Sequence, residues 1–230
     1  MSEFDRFQRE QAPSWEDICR ALYRKNRNKI RIKKEEVAVR NLQRVLQAAL
    51  TLSRSKGFHA MTLRDLSRAT GLSTGALYSC FASKRDLHRI LWEQGVLFTV
   101  RYLRDRLRNT ASPVERLREA IRCHIYLSEM FSSWFCFLYM DARNLSRMEK
   151  GKAIRNEMAT ERIFHAILMD GMRSGEFVIQ DGCLTAAAIK ALLQDWYLKR
   201  WKYRRLKVTP DTYAEYVAQL VLASINGMSR

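Results

Sequence analysis

The sequence predicts an all-α protein, on three observations. Only three prolines and nine glycines interrupt 230 residues, so few positions oppose long helices. No run of alternating β-branched residues marks a strand. Helix starts are instead written in capping chemistry, a serine or threonine followed three residues later by an acid: Ser14 and Asp17, Thr62 and Asp65, Ser83 and Asp86, Ser112 and Glu115.

Composition narrows the partners. An apolar content of 47% suffices for a buried core. A net charge of +17 points to a polyanion: nucleic acid, an anionic membrane surface or a polyanionic ligand. The five cysteines are scattered, odd in number and never spaced C-x-x-C, which argues against a disulfide framework or a zinc site. Neither a metal nor a cofactor is expected. The N-terminus has no signal-peptide apolar stretch, and the longest strong apolar run, WFCFLYM at 134–140, is far too short for a membrane span. A cytoplasmic protein without a membrane partner is the expectation.

Along the chain, residues 1–34 read as a basic N-terminal extension. A short helix opens at Pro13-Ser14, and from Arg20 to Lys34 eight Lys or Arg occur with no acid. This run is either a solvated leader or an arm for a DNA groove. From Glu36 the apolar positions Val39, Leu42, Val45, Leu46, Ala49 and Leu52 keep helical spacing until Lys56-Gly57. A second helix starts at Thr62 or Leu63, with Met61 and Leu66 at hydrophobic-staple spacing and Leu63, Leu66 and Ala69 as its apolar face. Gly71 stops it. Ser73 then caps a third short helix carrying Leu77 and Phe81, and Ser83 opens a fourth.

The string GLSTG at 71–75 fits two machines, a hydrolase nucleophile elbow built on Ser73 and the corner of a helix-turn-helix. An elbow needs a buried strand ahead of it, whereas LRDLSRAT is charged on one side and capped like a helix. The SRSK at 53–56 likewise matches S-x-x-K without its companion motifs. In a helix-turn-helix a small residue lets the helices cross, here Ser67. Leu66, Leu72 and Leu77 wedge the corner, and Gly71 takes the turn conformation that a side chain would strain. The second helix then turns the short residues Ser73, Thr74, Gly75 and Ala76 toward base edges.

The stretch from Val39 to Leu91 resembles the DNA-binding domain of the tetracycline-repressor (TetR) family of transcriptional regulators. The likeness rests on Gly57-Phe58, Thr62, Gly71-Leu72-Ser73, Leu77-Tyr78, Phe81 and Ser83-Lys84 leading into Leu87. It implies a three-helix helix-turn-helix domain over 35–84 and a helical ligand-binding and dimerisation domain over 85–230. It also implies that Thr62 and Arg64 meet phosphate or a neighbouring base, that Tyr78 and Lys84 bind the DNA backbone, and that Thr74, Gly75 and Ser79 face the groove floor. The last two helices would pair with those of a second copy, giving a homodimer on a palindromic operator.

In the remainder, Ser112-Pro113 opens a helix with Val114, Leu117, Ile121, Ile125 and Phe131 on one face, where His124 and Ser128 also lie. The aromatic run containing Trp134, Phe135 and Leu138 follows and ends in Asp141 and Arg143. Helical spacing resumes through Phe164 to Gly175, then from Leu184 through Trp196, and again after Thr209-Pro210. The strings DARNL, GMRSGEF and WYLKRW resemble TetR regulators that sense acyl-CoA thioesters. That resemblance implies a hydrophobic effector, an acyl-CoA or fatty acid; the candidate contacts are His124, Ser128, Trp134, Phe135, Leu138, Asp141, Arg143, Phe164 and Trp196, with the alternative that His124 and most of the aromatics are packed core. The expected function is a repressor released from its operator by that effector, with no catalysis. Two rivals stand beside it: an architectural DNA-binding protein without ligand control, and an enzyme using Ser73 as a serine hydrolase or a Cys-His pair.

Overall fold

The computed structural model describes residues 1–110, 112–141 and 147–225, with backbone only for 147–150 and 152–157. Among the described residues there are helices and connecting turns and no strand. In order the helices are α1 (Glu3–Arg6), α2 (Trp15–Lys25), α3 (Glu35–Lys56), α4 (Leu63–Thr70), α5 (Thr74–Cys80), α6 (Lys84–Leu107), α7 (Pro113–Met130), α8 (Ser132–Asp141), α9 (Arg147–Ser174), α10 (Gly182–Leu198), α11 (Arg200–Arg205) and α12 (Pro210–Ile225), with a π-helical turn, Phe7–Gln11, after α1. The chain divides into two compact units.

The corner unit comprises Pro13–Phe98 and Ser133–Ser146. Its axis is α3, which buries Ala38, Val39, Leu42, Val45, Leu46, Ala49 and Leu50 against α2, α4 and α5. The stretch read as an extension contributes to this core. Ser14 and Asp17 close a capping box, and α2 buries Ile18, Cys19, Leu22 and Tyr23. The Tyr23 hydroxyl donates to the carbonyls of Ile32 and Lys33 at 3.1 and 2.9 Å, and the Arg31 amide donates to the Ser79 carbonyl at 3.0 Å. The basic segment is therefore fastened beside the end of α5. In the same unit the Trp134 indole stacks on Trp15 at 5.0 Å and donates to the Leu91 carbonyl at 2.8 Å. A Cβ at Gly95 would fall 2.4 Å from Trp134 Nε1, so glycine is what admits the ring.

The bundle unit comprises Met1–Ala12, Thr99–Ser132 and Arg147–Arg230. Helix α7 packs on α9, α10 and α12, and α9 on α10, around Leu117, Ile121, Phe164, Leu168, Leu193, Trp196, Val217 and Leu222. Phe4 and Phe7 pack edge-on against Tyr126 at 5.3 and 5.1 Å, which brings the first residues into this core. The GMRSGEF string ends α9: Gly175 has φ +78°, and the Glu176 and Phe177 amides donate back to the Gly171 carbonyl at 2.9 and 3.0 Å. One local expectation changes. Ser112 caps α7 through the Val114 amide at 3.2 Å, in place of the expected capping box with Glu115.

Candidate nucleic-acid interface

The corner is built by local chemistry. Thr62 Oγ1 accepts from the Asp65 amide at 3.1 Å, while the Asp65 carboxylate accepts from the Thr62 amide and hydroxyl at 2.8 and 2.7 Å. The Lys56 ammonium, 2.6 Å away, and the Thr62 bonds hold the Asp65 carboxyl well below the usual carboxylate range. Helix α4 buries Leu66 and Thr70, with Leu63 half-buried. Ala69, expected on that face, is exposed, because an eight-residue helix closed by the Gly71 cap reaches the core at Thr70 instead. The Thr70 hydroxyl donates to the Leu66 carbonyl at 2.7 Å and Ser67 Oγ to the Leu72 carbonyl at 2.6 Å. Gly71 takes the left-handed conformation, φ +65°, and Arg44 reaches across from α3 to the Thr70 carbonyl. Sequence reasoning missed Arg44, since its partner lies 26 residues away.

Helix α5 follows immediately. Ser73 caps it, its Oγ accepting from the Ala76 amide at 3.2 Å. Leu77 and Cys80 are buried on one face, which leaves Ser73, Thr74 and Gly75 exposed and Ala76 half-buried at the opposite end of the turn. A Cβ at Gly75 would meet only Ser73 Oγ, at 3.9 Å. Packing inside the protein thus does not require glycine there, and its effect is to keep the outer surface low. Tyr78 is exposed, and Ser79 Oγ donates to the Gly75 carbonyl at 3.1 Å. Arg64 and Arg68 are exposed on α4, and Lys25, Arg27, Lys29, Arg31, Lys33 and Lys34 on the segment fastened to α5.

Lys84 is placed differently from a free surface cation. Its ammonium donates to the His59 carbonyl at 2.6 Å and lies 5.5 Å from the Phe58 ring centroid, and partial burial lowers its pKa. The hydrolase chemistry finds no footing. Ser73 Oγ serves as a helix cap, and burial pushes the Cys19 thiol up to about 12 and the Cys80 thiol up to about 11.

The residues expected around an effector fall in both units. In the bundle unit His124 is fully buried; burial first, and the Lys190 charge second, lower its pKa well below the ordinary histidine value. The neutral ring accepts at Nε2 from the Lys190 ammonium at 3.2 Å. Ser128 Oγ donates to the Ile125 carbonyl at 2.9 Å, and Phe164 lies 6.4 Å from the His124 ring. Trp196 is stacked on Tyr213 at 4.8 Å and covered by the Arg200 guanidinium at 4.2 Å, with Arg200 paired to Glu129 at 2.7 Å. Trp134, Phe135 and Asp141 are buried in the corner unit and Leu138 half-buried; Arg143 lies outside the described residues. Burial works to raise the Asp141 pKa, but hydrogen bonds from His88 and Trp92 and the nearby histidines hold it below its ordinary value.

The family model described as bacterial regulatory proteins, tetR family, matches residues 45–89, which contain this corner, and the tetracyclin repressor-like C-terminal domain model matches residues 110–225. Over 134 residues, 52% of this chain and 67% of the relative, the sequence is 29% identical to the HTH-type transcriptional repressor KstR2 of Mycobacterium tuberculosis. The structure of KstR2, a ketosteroid transcriptional regulator, is similar with a TM-score of 0.67 and 22% identity, covering 80% of this chain and 94% of that one. A tetR-family regulatory protein from Rhodococcus RHA1 gives a TM-score of 0.72 at 20% identity, covering 81% and 97%. FadR of Bacillus subtilis, solved in complex with stearoyl-CoA, gives 0.64 at 19%, covering 80% and 98%. With one family model spanning half of its length and another spanning the capped corner, the chain belongs to the TetR family of bacterial transcriptional regulators.

Proposed function

We propose that the protein is a repressor that binds a palindromic operator as a homodimer and leaves it when a hydrophobic effector, an acyl-CoA or fatty acid, fills the bundle unit. Membership of the family makes it a DNA-binding regulator and not an enzyme. The observation that carries the DNA reading is the first turn of α5, small and exposed at Ser73–Ala76, held by a buried opposite face and flanked by exposed arginine and lysine. Thr74, Gly75, Ala76 and Ser79 are the base-side residues of this proposal; Thr62, Arg64, Ser73, Tyr78 and Lys84 are the backbone-side ones. Such short side chains offer few bidentate contacts, so thymine methyls, water and DNA shape carry part of the specificity. One short helix reads only a half-site, which is the reason for a second copy and a palindrome. On this reading the protein works in the cytoplasm, with the DNA.

The effector reading is supported by two structural relatives whose names pair the fold with large apolar molecules, a ketosteroid regulator and a stearoyl-CoA complex. Within the bundle unit, Phe164 and Trp196 supply apolar surface, while His124, Ser128 and Lys190 place polar groups in the same interior for a carbonyl or acid. Each buried methylene contributes about 0.8 kcal/mol, so affinity rises with acyl length until the space is full. Release further requires that the ligand prefer the state that does not bind DNA.

The test is operator release, followed by fluorescence anisotropy across a ladder of acyl-CoAs and free fatty acids. A chain-length-dependent loss of DNA affinity supports the proposal. If no member of the ladder changes DNA affinity, the effector assignment fails and the DNA assignment stands. Footprinting of genomic fragments separates the architectural rival, which covers DNA without regard to sequence.

A further inference from the structure

No sequence spacing announces a metal site, because the residues concerned lie far apart in the chain. Folding of the corner unit nevertheless brings the ligand atoms of His59, His88 and Asp141 within 4.8 Å of one another. We propose that these three residues bind a divalent transition-metal ion of the zinc class. Two imidazoles and one carboxylate form a donor set that suits zinc, cobalt and nickel, and they leave a fourth position for water.

The geometry is close to what binding needs. Asp141, the last residue of α8, directs Oδ2 at His88 Nε2, 2.5 Å away, and Oδ1 at His59 Nε2, 3.8 Å away. Ligand bonds of about 2.1 Å in a tetrahedron place two donor atoms about 3.4 Å apart. With Asp141 binding through Oδ2 alone, its separation from His88 Nε2 must open by less than about 1 Å on that geometry, and His59, whose ligand atom lies within 4.8 Å of the other two, must swing from Oδ1 toward the shared ion. His59 has the freedom to do this, since 61% of its side chain is exposed, and the same exposure gives an ion access from solvent. The ion would replace the hydrogen bond between His88 and Asp141.

The surroundings are those of a supported site. Trp92 Nε1 donates to Asp141 Oδ2 at 2.9 Å and so orients the carboxylate. Phe58 and Phe137 pack against the His88 ring, at centroid distances of 4.8 and 5.9 Å. Lys84 fastens the His59 carbonyl, fixing the loop that carries the outer ligand. These interactions restrict ring and carboxylate orientation, as outer-shell partners do at metal sites. The Lys84 charge opposes a second cation, so the three ligands must outweigh it. A bound ion would join the α3–α4 loop, α6 and α8, three segments remote in sequence, and would raise the melting temperature in a saturable way.

The experiment uses the full-length chain without an affinity tag, stripped with chelator and titrated calorimetrically with Zn²⁺. In parallel, Co²⁺ absorption identifies the ligand type. The expected result is one ion per chain, a cobalt spectrum with ligand-field bands and no thiolate charge-transfer band, and full retention in Cys183→Ser. His59→Ala removes an exposed side chain and should weaken binding at least about tenfold, and Trp92→Phe, which loses the orienting bond together with part of the ring, by about tenfold to a hundredfold. No binding tighter than millimolar, a thiolate band, or unchanged affinity in His59→Ala would each overturn the assignment and leave a hydrogen-bonded His-Asp pair.

Discussion

Gly171 shows how a single residue shapes the end of a helix. A Cβ there would lie 2.0 Å from the Phe177 ring, which folds back onto the α9 backbone after the Gly175 cap. Gly171→Ala is expected to destabilise the protein by about 1 to 3 kcal/mol in urea unfolding, because Phe177 must leave its seat. His124 makes a second prediction. Its pKa in the folded state is depressed, so between that value and the unfolded value of about 6.5 the unfolded chain binds more protons. Stability should therefore fall as pH drops below about 6.5, and His124→Gln should flatten that part of a melting-temperature profile. Equal slopes in both proteins would contradict this. Caps such as Thr62 and Ser73 were legible in the sequence because their partners lie within three residues. The His124 and Lys190 pair, 66 residues apart, was not, nor was the Trp134 seat between Trp15 and Gly95. Local chemistry leaves a pattern in the chain, whereas tertiary partnership does not.

At the scale of elements, the corner followed from the sequence almost entirely, since α4 and α5 are short, capped and separated by one left-handed glycine. The basic stretch ahead of it did not. Charge alone left open a leader or a groove arm, while the apolar positions Ile18, Leu22 and Tyr23 make α2 a packed helix. Deleting residues 1–32 would remove core as well as charge. The cleaner variant replaces exposed Arg27, Lys29 and Arg31 by glutamine. If this segment lies along DNA, the slope of log affinity against log salt becomes shallower by about 0.9 for each phosphate that is no longer neutralised, with the preferred sequence unchanged. An unchanged slope assigns the segment to the fold alone. Thr74→Ala probes α5 itself, with an expected loss of about 1 to 3 kcal/mol confined to the preferred duplex.

For the whole molecule, the helical architecture and the family of the corner were legible from helix punctuation and the corner motif, whereas the proposed effector and second copy leave no comparable mark in one chain. The surface of the bundle unit nevertheless carries a feature suited to self-association. On α10, Leu184, Ala187, Ala188 and Ala191 are exposed at helical spacing, as are Tyr216, Leu220 and Ala223 on α12; Leu184 is 69% and Tyr216 62% accessible. Leu220→Glu is therefore expected to shift the protein to monomer in sedimentation velocity and to weaken operator binding. The measurement that bears most directly on the central claim is selection of preferred duplexes from a randomised pool, followed by titration of the selected and scrambled sequences at one salt concentration. The expected outcome is enrichment of a palindrome bound by two chains at least about a thousandfold more tightly than its scrambled counterpart. A pool that yields no enriched sequence, with equal affinity for every duplex, would contradict it.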